Sequence, residues 1–205
     1  MAKLYYQGHG SFRLTLDDRR VIYVDPFAGD GYDLPADMII ITHEHRDHNQ
    51  IGLVPRKENT IILRAEDLLI DRQYQMLSFD GFMVQGVPAY NKNHAREQCV
   101  GLLMIADKVC IYASGDTSTT AYMRTFLPNM PIDYALYCCD GVYNMDIDEA
   151  ATCAKIVGAK RNIPIHMLPD NKGIFDRARA EAFDAPGRLI LEPGEEISLE
   201  KLTGK

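Results

Sequence analysis

The stretch "MIIITHEHRDHNQ" (38–50) joins a continuous apolar run to a turn that contains three histidines and an aspartate. The run 38–42 has the length and composition of a β-strand that is buried on both faces. The polar turn therefore follows the end of a buried strand, where loops gather and binding sites are built. Imidazole nitrogens and carboxylate oxygens at this density indicate a metal site suited to zinc, iron or manganese.

The spacing of His43, His45, Asp47 and His48 indicates two metal ions rather than one. Alternate side chains of an extended turn point the same way, so His43 and His45 can reach a common ion. Asp47 and His48 then point to a neighbouring position. The alternative is a solvated polar loop, which is disfavoured because a chance match to H-x-H-x-D-H is rare.

Two coordination spheres need further ligands, and the chain offers three at the ends of predicted strands. His94 lies in "AYNKNHAREQ" (89–98), Asp116 in "YASGDTST" (112–119) and His166 in "NIPIHM" (162–167). Taken singly, each has a structural alternative, since a histidine at a strand end is often satisfied locally and an aspartate often caps a turn. Their shared position at strand ends favours ligands.

Short apolar segments predict strands in the first half of the chain and alternating strands and helices in the second. The predicted strands are 3–7, 11–16, 20–25, 38–42, 74–78, 82–89, 99–106, 109–113, 133–139, 162–167 and 188–192. The predicted helices are 64–72, 117–127, 145–159 and 174–183. This order indicates two sheets with helices packed outside them. The absence of a linker or repeat in the sequence favours a single domain, 1–205.

Composition restricts the partners and the compartment. A formal net charge of −7 argues against mainly electrostatic binding to nucleic acid. The start "MAKLYYQGHGSF" (1–12) lacks the apolar stretch of a signal peptide, and no segment has the length of a membrane span. We therefore expect a cytoplasmic protein with a small-molecule substrate; a homo-oligomer is compatible with the sequence. The cysteines form no CxxC pair and are expected to be buried, reduced thiols: Cys99, Cys110, Cys138, Cys139 and Cys153.

The motifs resemble a known superfamily. H-E-H-R-D-H (43–48), His94, Gly-Asp-Thr (115–117) and Ile-Pro-Ile-His (163–166) resemble, in that order, the metallo-β-lactamase superfamily. Further segments resemble its ascorbate-6-phosphate-lactonase-like branch: "GHGSF" (8–12), "VDPF" (24–27), "PAYN" (88–91), "IYASGDT" (111–117) and "GVYNMDIDEAA" (141–151). The resemblance implies an α/β (α+β) fold, a four-layer αβ/βα sandwich of two mixed sheets with helices on the outer faces and a two-metal site along one edge.

The resemblance also implies the ligands of two divalent cations, zinc being expected and manganese or iron being alternatives. The implied sets are His43, His45 and His94 for the first metal, Asp47, His48 and His166 for the second, and Asp116 between them. Two such cations can share a water and produce a metal-bridging hydroxide at neutral pH. The implied reaction is lactonase-like hydrolysis of a small-molecule ester, lactone, amide or phosphoester, with Asp47 and Asp116 as catalytic residues.

Residues around these ligands are candidates for substrate contact or support. His9, between two glycines, is predicted to contact substrate or to lie behind a ligand, and a simple turn histidine is the alternative. Tyr90, Asn91 and Tyr143 flank proposed ligands and are predicted to line a substrate pocket, the alternatives being aromatic packing and Asn-type turns. Asp25 is a candidate acceptor for the second N–H of a metal-bound imidazole, or else a strand-end turn residue.

Other functions of the same superfamily stay open as alternatives. A phosphodiesterase or nuclease could use a similar site, although the RNA-processing members usually carry an extra domain or arm for which 205 residues leave little room. A redox member would have glutamate where this chain has His45, and a non-catalytic member would be expected to have lost a ligand. Arg46 could attract an anionic substrate. The segment "MLPDNKGIFD" (167–176) departs from the branch pattern, so specificity cannot be copied across.

Overall fold

Two six-stranded β-sheets form the centre of the protein in a computed structural model that describes residues 1–203. The first sheet contains β1 (Lys3–Gly8), β2 (Ser11–Thr15), β3 (Val21–Val24), β4 (Ala36–Ile40), β5 (Arg56–Leu63) and β14 (Glu196–Ser198). The second contains β8 (Met76–Phe79), β9 (Phe82–Pro88), β10 (Val100–Ala106), β11 (Val109–Ala113), β12 (Tyr134–Cys138) and β13 (Arg161–Ile165). β6 (Leu69–Ile70) and β7 (Gln73–Tyr74) form a small hairpin, a separate two-stranded sheet beside β9.

Both sheets are mixed, and their parallel strands determine where the predicted ligands meet. The strand order is β14-β1-β2-β3-β4-β5 in one sheet and β13-β12-β11-β10-β9-β8 in the other. Neighbours are parallel from β3 to β5 and from β11 to β13, and antiparallel elsewhere in these sheets. The carboxyl ends of β4, β11 and β13 lead into the loops of His43, Asp116 and His166, a usual place for ligand sites in α/β sheets.

The main hydrophobic core lies between the two sheets. It joins buried side chains of the first sheet, such as Leu4 and Ile40, to buried side chains of the second, such as Val84, Leu102 and Ile111. Each fully buried aliphatic side chain of this kind stabilises the fold by about 1.5–3 kcal/mol relative to an exposed one. This core holds the ends of strands from different sheets at a fixed separation.

The helices cover the two outer faces unequally. The helices are α1 (Ala65–Leu68), α2 (Ala121–Thr125), α3 (Ile147–Val157) and α4 (Arg177–Ala182). Residues of α2, α3 and α4 pack with Leu103, Tyr112 and Tyr137 on the outer face of the second sheet. Within residues 1–203, every helix is too short or too polar to traverse a lipid bilayer.

The outer face of the first sheet differs from the predicted helical layer. Its apolar cluster, which includes Tyr23, Ile39 and Ile41, is covered by Tyr32 in the loop after β3 and by Ile51 in a 3-10 turn (Ile51–Leu53). The loop 26–35 contains two prolines and two glycines, which disfavour a regular helix.

Most predicted strands and helices are confirmed, and the remainder are wrong for identifiable reasons. The predicted helix 64–72 ends at Leu68, because the chain reverses through Asp71 and Arg72 at positive φ (49° and 64°) into the small hairpin. The predicted strand 188–192 is wrong, since only Arg188 forms an isolated bridge, to Asn162. The predicted single domain (1–205) stays a prediction, and its last two residues lie outside the described range.

A buried carboxylate, that of Asp133, fixes the C-terminal segment against the second sheet. Its Oδ2 accepts a hydrogen bond from the Cys110 amide at 2.8 Å, and its Oδ1 accepts from the Leu202 and Thr203 amides, both at 2.7 Å. Burial raises the pKa of Asp133, but the amide donors outweigh burial and hold the pKa below its ordinary value. The fold therefore stabilises the ionised form.

We expect Asp133→Asn to lower the free energy of unfolding by about 2–4 kcal/mol at neutral pH, because hydrogen bonds to a charged group are lost. A depressed folded-state pKa contributes stability above the unfolded value of about 3.9, and this is lost as the pH falls through the folded pKa. Urea unfolding measures the free energy of unfolding at neutral pH and at about pH 3. The free energies of wild type and variant should differ less at the lower pH. Asp30→Asn, at an exposed position, is the control. A pH-independent difference would contradict this account.

Candidate metal centre

The seven predicted ligands come together at one edge of the molecule, where the loops after β4, β9, β11 and β13 meet. Together with His9, they form three overlapping groups whose nitrogen and oxygen atoms lie within 4.8 Å of one another: His43, His45 and His94; His43, His48 and Asp116; and His9, Asp47, His48 and His166. These ligand candidates are far apart in the sequence, from position 43 to position 166. They lie close together because the carboxyl ends of their strands point to the same edge.

Asp116 occupies the centre of the cluster and is 2% exposed. Its Oδ2 lies close to four imidazole Nε2 atoms, at 3.4 Å from His94, 3.5 Å from His48, 3.6 Å from His166 and 3.9 Å from His43. Because these imidazoles belong to both predicted ligand sets, the carboxylate stands between the two sets. This is the position that a bridging ligand requires.

The first predicted set forms a triangle of three imidazole rings. The ring centroids of His43 and His45 are 4.5 Å apart, those of His45 and His94 4.9 Å, and those of His43 and His94 5.0 Å. His43 and His94 are buried, while His45 is exposed. Three imidazoles with one open side resemble the protein ligands of a catalytic zinc site, which keeps a position for water or substrate.

The second predicted set surrounds the carboxylate of Asp47. Its Oδ2 lies 3.5 Å from His166 Nε2 and 3.8 Å from His48 Nε2. The side chain of Asp47 is 18% exposed, whereas those of His48 and His166 are almost fully buried. Asp47 is therefore the ligand candidate of this set that solvent can reach.

The chemistry of these donors fits divalent cations. Among the buried atoms without a hydrogen-bond partner in residues 1–203 are four ligand candidates of the cluster: His43 Nε2, His48 Nε2, His166 Nε2 and Asp116 Oδ1. A buried polar atom without a partner costs about 1–3 kcal/mol. Cations held by imidazole and carboxylate would satisfy all four atoms at once.

Asp25 orients one histidine of each set. Its Oδ2 accepts a hydrogen bond from His48 Nδ1 at 2.9 Å and another from the Thr42 hydroxyl at 2.6 Å. Thr42 Oγ1 in turn lies 3.1 Å from His43 Nδ1. The sequence suggested Asp25 as an acceptor for a ligand imidazole, and the structure places it in this contact. An acceptor at Nδ1 leaves Nε2 free to face the metal position.

Two further residues contact the outer nitrogens of His94 and His166. Asn91 Oδ1 accepts from His94 Nδ1 at 3.0 Å, whereas Asp140 Oδ2 lies 3.6 Å from His166 Nδ1, an electrostatic contact without a hydrogen bond. Sequence reasoning missed Asp140. Its position, two residues beyond the parallel strand β12 at the same edge as the ligands, was the available signal.

Burial and charge divide the imidazoles into two protonation classes. Burial lowers the pKa of His43 well below its ordinary value and lowers the pKa of His94 as well. Burial also disfavours the charged forms of His48 and His166, but Asp116 and a second nearby carboxylate outweigh it and raise both pKa values. Burial would raise the pKa of Asp116, yet the surrounding imidazoles hold it well below its ordinary value.

The predicted substrate contacts fall in different places. A cavity of about 700 Å³ is bounded by His43, His45 and His94. A neighbouring groove of about 450 Å³ is lined by Tyr90, Asn91 and Tyr143. The His9 side chain is 0% exposed, and its Nε2 contacts Asp47 Oδ2 at 3.1 Å, so it lies against a ligand candidate rather than in a position to touch substrate.

Comparisons with known proteins identify the fold. Residues 3–166 match the family model described as the β-lactamase superfamily domain. The UPF0173 metal-dependent hydrolase of Pyrococcus horikoshii is 26% identical over 97% of this chain and all of its own length. Its counterpart in Thermococcus kodakarensis is 27% identical over the same shares. The structure of Igni18, a metallo hydrolase from Ignicoccus hospitalis, is 24% identical, with a TM-score of 0.72 over 97% of this chain and 98% of that one. This likeness confirms the predicted fold.

We expect Asp25→Asn to weaken the binding of divalent cations by about 10- to 100-fold, because partners of ligand histidines typically contribute that much. Calorimetric titration of zinc into metal-free protein, in competition with a chelator, measures the affinity. Asp148→Asn, at an exposed position in α3, is the matched control and should bind as the wild type does. Wild-type affinity in Asp25→Asn would contradict the orienting role.

Proposed function

This chain belongs to the metallo-β-lactamase superfamily and is a metal-dependent hydrolase of that fold, and we propose that it uses two divalent cations, zinc first among them, to hydrolyse a small, neutral ester or lactone. The observation that carries the proposal is the position of Asp116 Oδ2, within 3.4–3.9 Å of imidazoles from both ligand sets. A lactonase-like activity is the form of this reaction that the sequence motifs favour.

The proposed ligand assignment follows the two sets. His43, His45 and His94 would hold one cation, and Asp47, His48 and His166 the other, with Asp116 shared. Burial lowers the pKa values of His43 and His94, which favours the neutral imidazoles that bind metal. The carboxylates around His48 and His166 outweigh burial and raise their pKa values, and the same negative charge would favour a cation there.

Two divalent cations held by these residues would lower the pKa of a bound water and polarise the substrate oxygen. The side chains orient the water and the substrate. Burial would raise the pKa of Asp47, but hydrogen bonds from His166 and His9 hold it well below its ordinary value, so the carboxylate is ionised at neutral pH. The Asp47 side chain is 18% exposed, so the carboxylate oxygen that does not face His9 can accept a hydrogen bond from the attacking water and orient it. The acyl–oxygen bond then breaks, and the proton released by the water passes to the leaving alkoxide.

The cavity beside the first set supports a small, neutral substrate. Its volume of about 700 Å³ lies in the range usual for small-molecule sites. The guanidinium of Arg64 in its wall is paired with the Glu44 carboxylate, while Glu66 and Glu97 add negative charge. A neutral ester or lactone therefore fits this wall better than the anionic substrate that Arg46 suggested.

The cysteines support the proposal of a cytoplasmic enzyme. All five thiols of the chain are free and buried. Burial raises the pKa of the Cys153 thiol to about 12, which keeps it protonated and unreactive. Buried, unpaired thiols are typical of proteins from reducing compartments.

We expect the zinc-loaded protein to hydrolyse a neutral lactone with a higher kcat/KM than bis(p-nitrophenyl) phosphate. Asp116→Asn should reduce kcat/KM on the lactone by more than about 100-fold, the upper end of what a partner of a metal ligand contributes. Chelation should abolish the activity and added zinc should restore it. Faster cleavage of the phosphodiester would favour the phosphodiesterase alternative. Equal rates with and without metal would refute the proposal.

A further inference from the structure

We propose that His9 is a positioning residue of the second metal set, which joins Asp47 from one sheet to His166 from the other. This inference rests on the proposed two-cation function. The sequence suggested that His9 either contacts substrate or lies behind a ligand, and its complete burial and its contacts favour the second role.

The side chain of His9 holds the carboxylate of Asp47. Its Nε2 donates to Asp47 Oδ2 at 3.1 Å, and this oxygen also faces the Nε2 atoms of His166 and His48. A carboxylate on a loop after β4 could otherwise rotate about its side-chain bonds. The hydrogen bond fixes its orientation toward the two imidazoles and leaves the second carboxylate oxygen without this contact.

The backbone of His9 holds His166. Its carbonyl accepts a hydrogen bond from the His166 amide at 2.8 Å and one from the Tyr6 hydroxyl at 2.9 Å, while its amide donates to the Ile174 carbonyl at 2.7 Å. The centroids of the two imidazole rings are 3.6 Å apart, and the ring planes are tilted by 39°. His9 and His166 both adopt left-handed backbone angles, with φ of 54° and 45°, a conformation that surrounding contacts must enforce.

These contacts connect the two sheets at the metal edge. His9 follows β1 and Asp47 follows β4, both in the first sheet, whereas His166 follows β13 in the second. His9 therefore sets the distance between ligands that the two sheets supply separately. Among residues 1–203, the ligand candidates that the His9 side chain contacts are Asp47, His48 and His166, all of the second set. Loss of the His9 side chain is therefore expected to weaken the binding of one of the two metals and not of the other.

Direct ligation is the competing arrangement, because the imidazole of His9 offers a nitrogen within 4.8 Å of ligand atoms on Asp47, His48 and His166. Two substitutions separate the two arrangements. His9→Asn accepts the left-handed backbone but has a side chain too short to reach Asp47. His9→Gln restores an N–H donor near the position of Nε2 without restoring an imidazole ligand.

Stepwise titration of metal-free protein with Co²⁺, followed by visible absorption and calorimetry, tests the inference. We expect wild type to bind two ions, and His9→Asn to weaken one step by about 10- to 100-fold while the other changes less than about twofold. His9→Gln should bind both ions within a few-fold of wild type. His45→Asn, in the first set, is the matched control and should weaken the opposite step. Circular dichroism and thermal melting establish that each variant is folded.

The outcomes distinguish this inference from the proposed function. If wild type binds two ions and His9→Asn binds them equally well, or loses both steps equally while folded, the positioning role is wrong and the two-cation function stands. If His9→Gln is as weak as His9→Asn, His9 is a ligand and the hydrogen-bond role is overturned. If wild type binds fewer than two ions, the proposed function and this inference both fail.

Discussion

The buried carboxylate of Asp116 imposes the main constraint on this protein. It is 2% exposed and lies within 3.9 Å of four imidazole nitrogens. A buried charge costs several kcal/mol unless opposite charge compensates it. Without cations, this carboxylate raises the pKa values of His48 and His166 and so favours compensating protons on these imidazoles. Bound cations would supply the opposite charge without forcing any of the ligands to carry a proton.

The fold can be understood as the support of this carboxylate. Parallel strands in each of two sheets bring polar loops to one edge. The apolar core between the sheets fixes the positions of those loops relative to one another. A layer of acceptors then orients the imidazoles from behind, with Asp25 serving His48 directly and His43 through Thr42. His9 adds a contact across the sheets. Each of these residues acts on a ligand atom rather than on the substrate, so the substrate can change without altering this support.

The sequence predicted that the side chains of the ligand candidates lie close together, because strand ends and ligand-type residues are both local features, and their role as metal ligands stays a prediction. The positions of His94 and Asp116 at strand ends were sufficient to place them beside His43. The sequence did not predict the strands that form only by pairing with distant segments of the chain. The strand β5 begins with the polar residues "RKENT", and β14 has only three residues, so neither carries a clear apolar pattern before it pairs with a neighbour. The contact of His9 with Asp47 joins residues 38 positions apart and is likewise invisible to local patterns.

The most direct test of the central claim is an anomalous-difference map from crystals of the zinc-loaded protein, collected at the zinc absorption edge. The account predicts two peaks on either side of the Asp116 carboxylate, about 3.5–4 Å apart as in other two-metal hydrolytic sites. One peak should lie among His43, His45 and His94, and the other beside Asp47, His48 and His166. A single peak, or zinc bound away from Asp116, would contradict it.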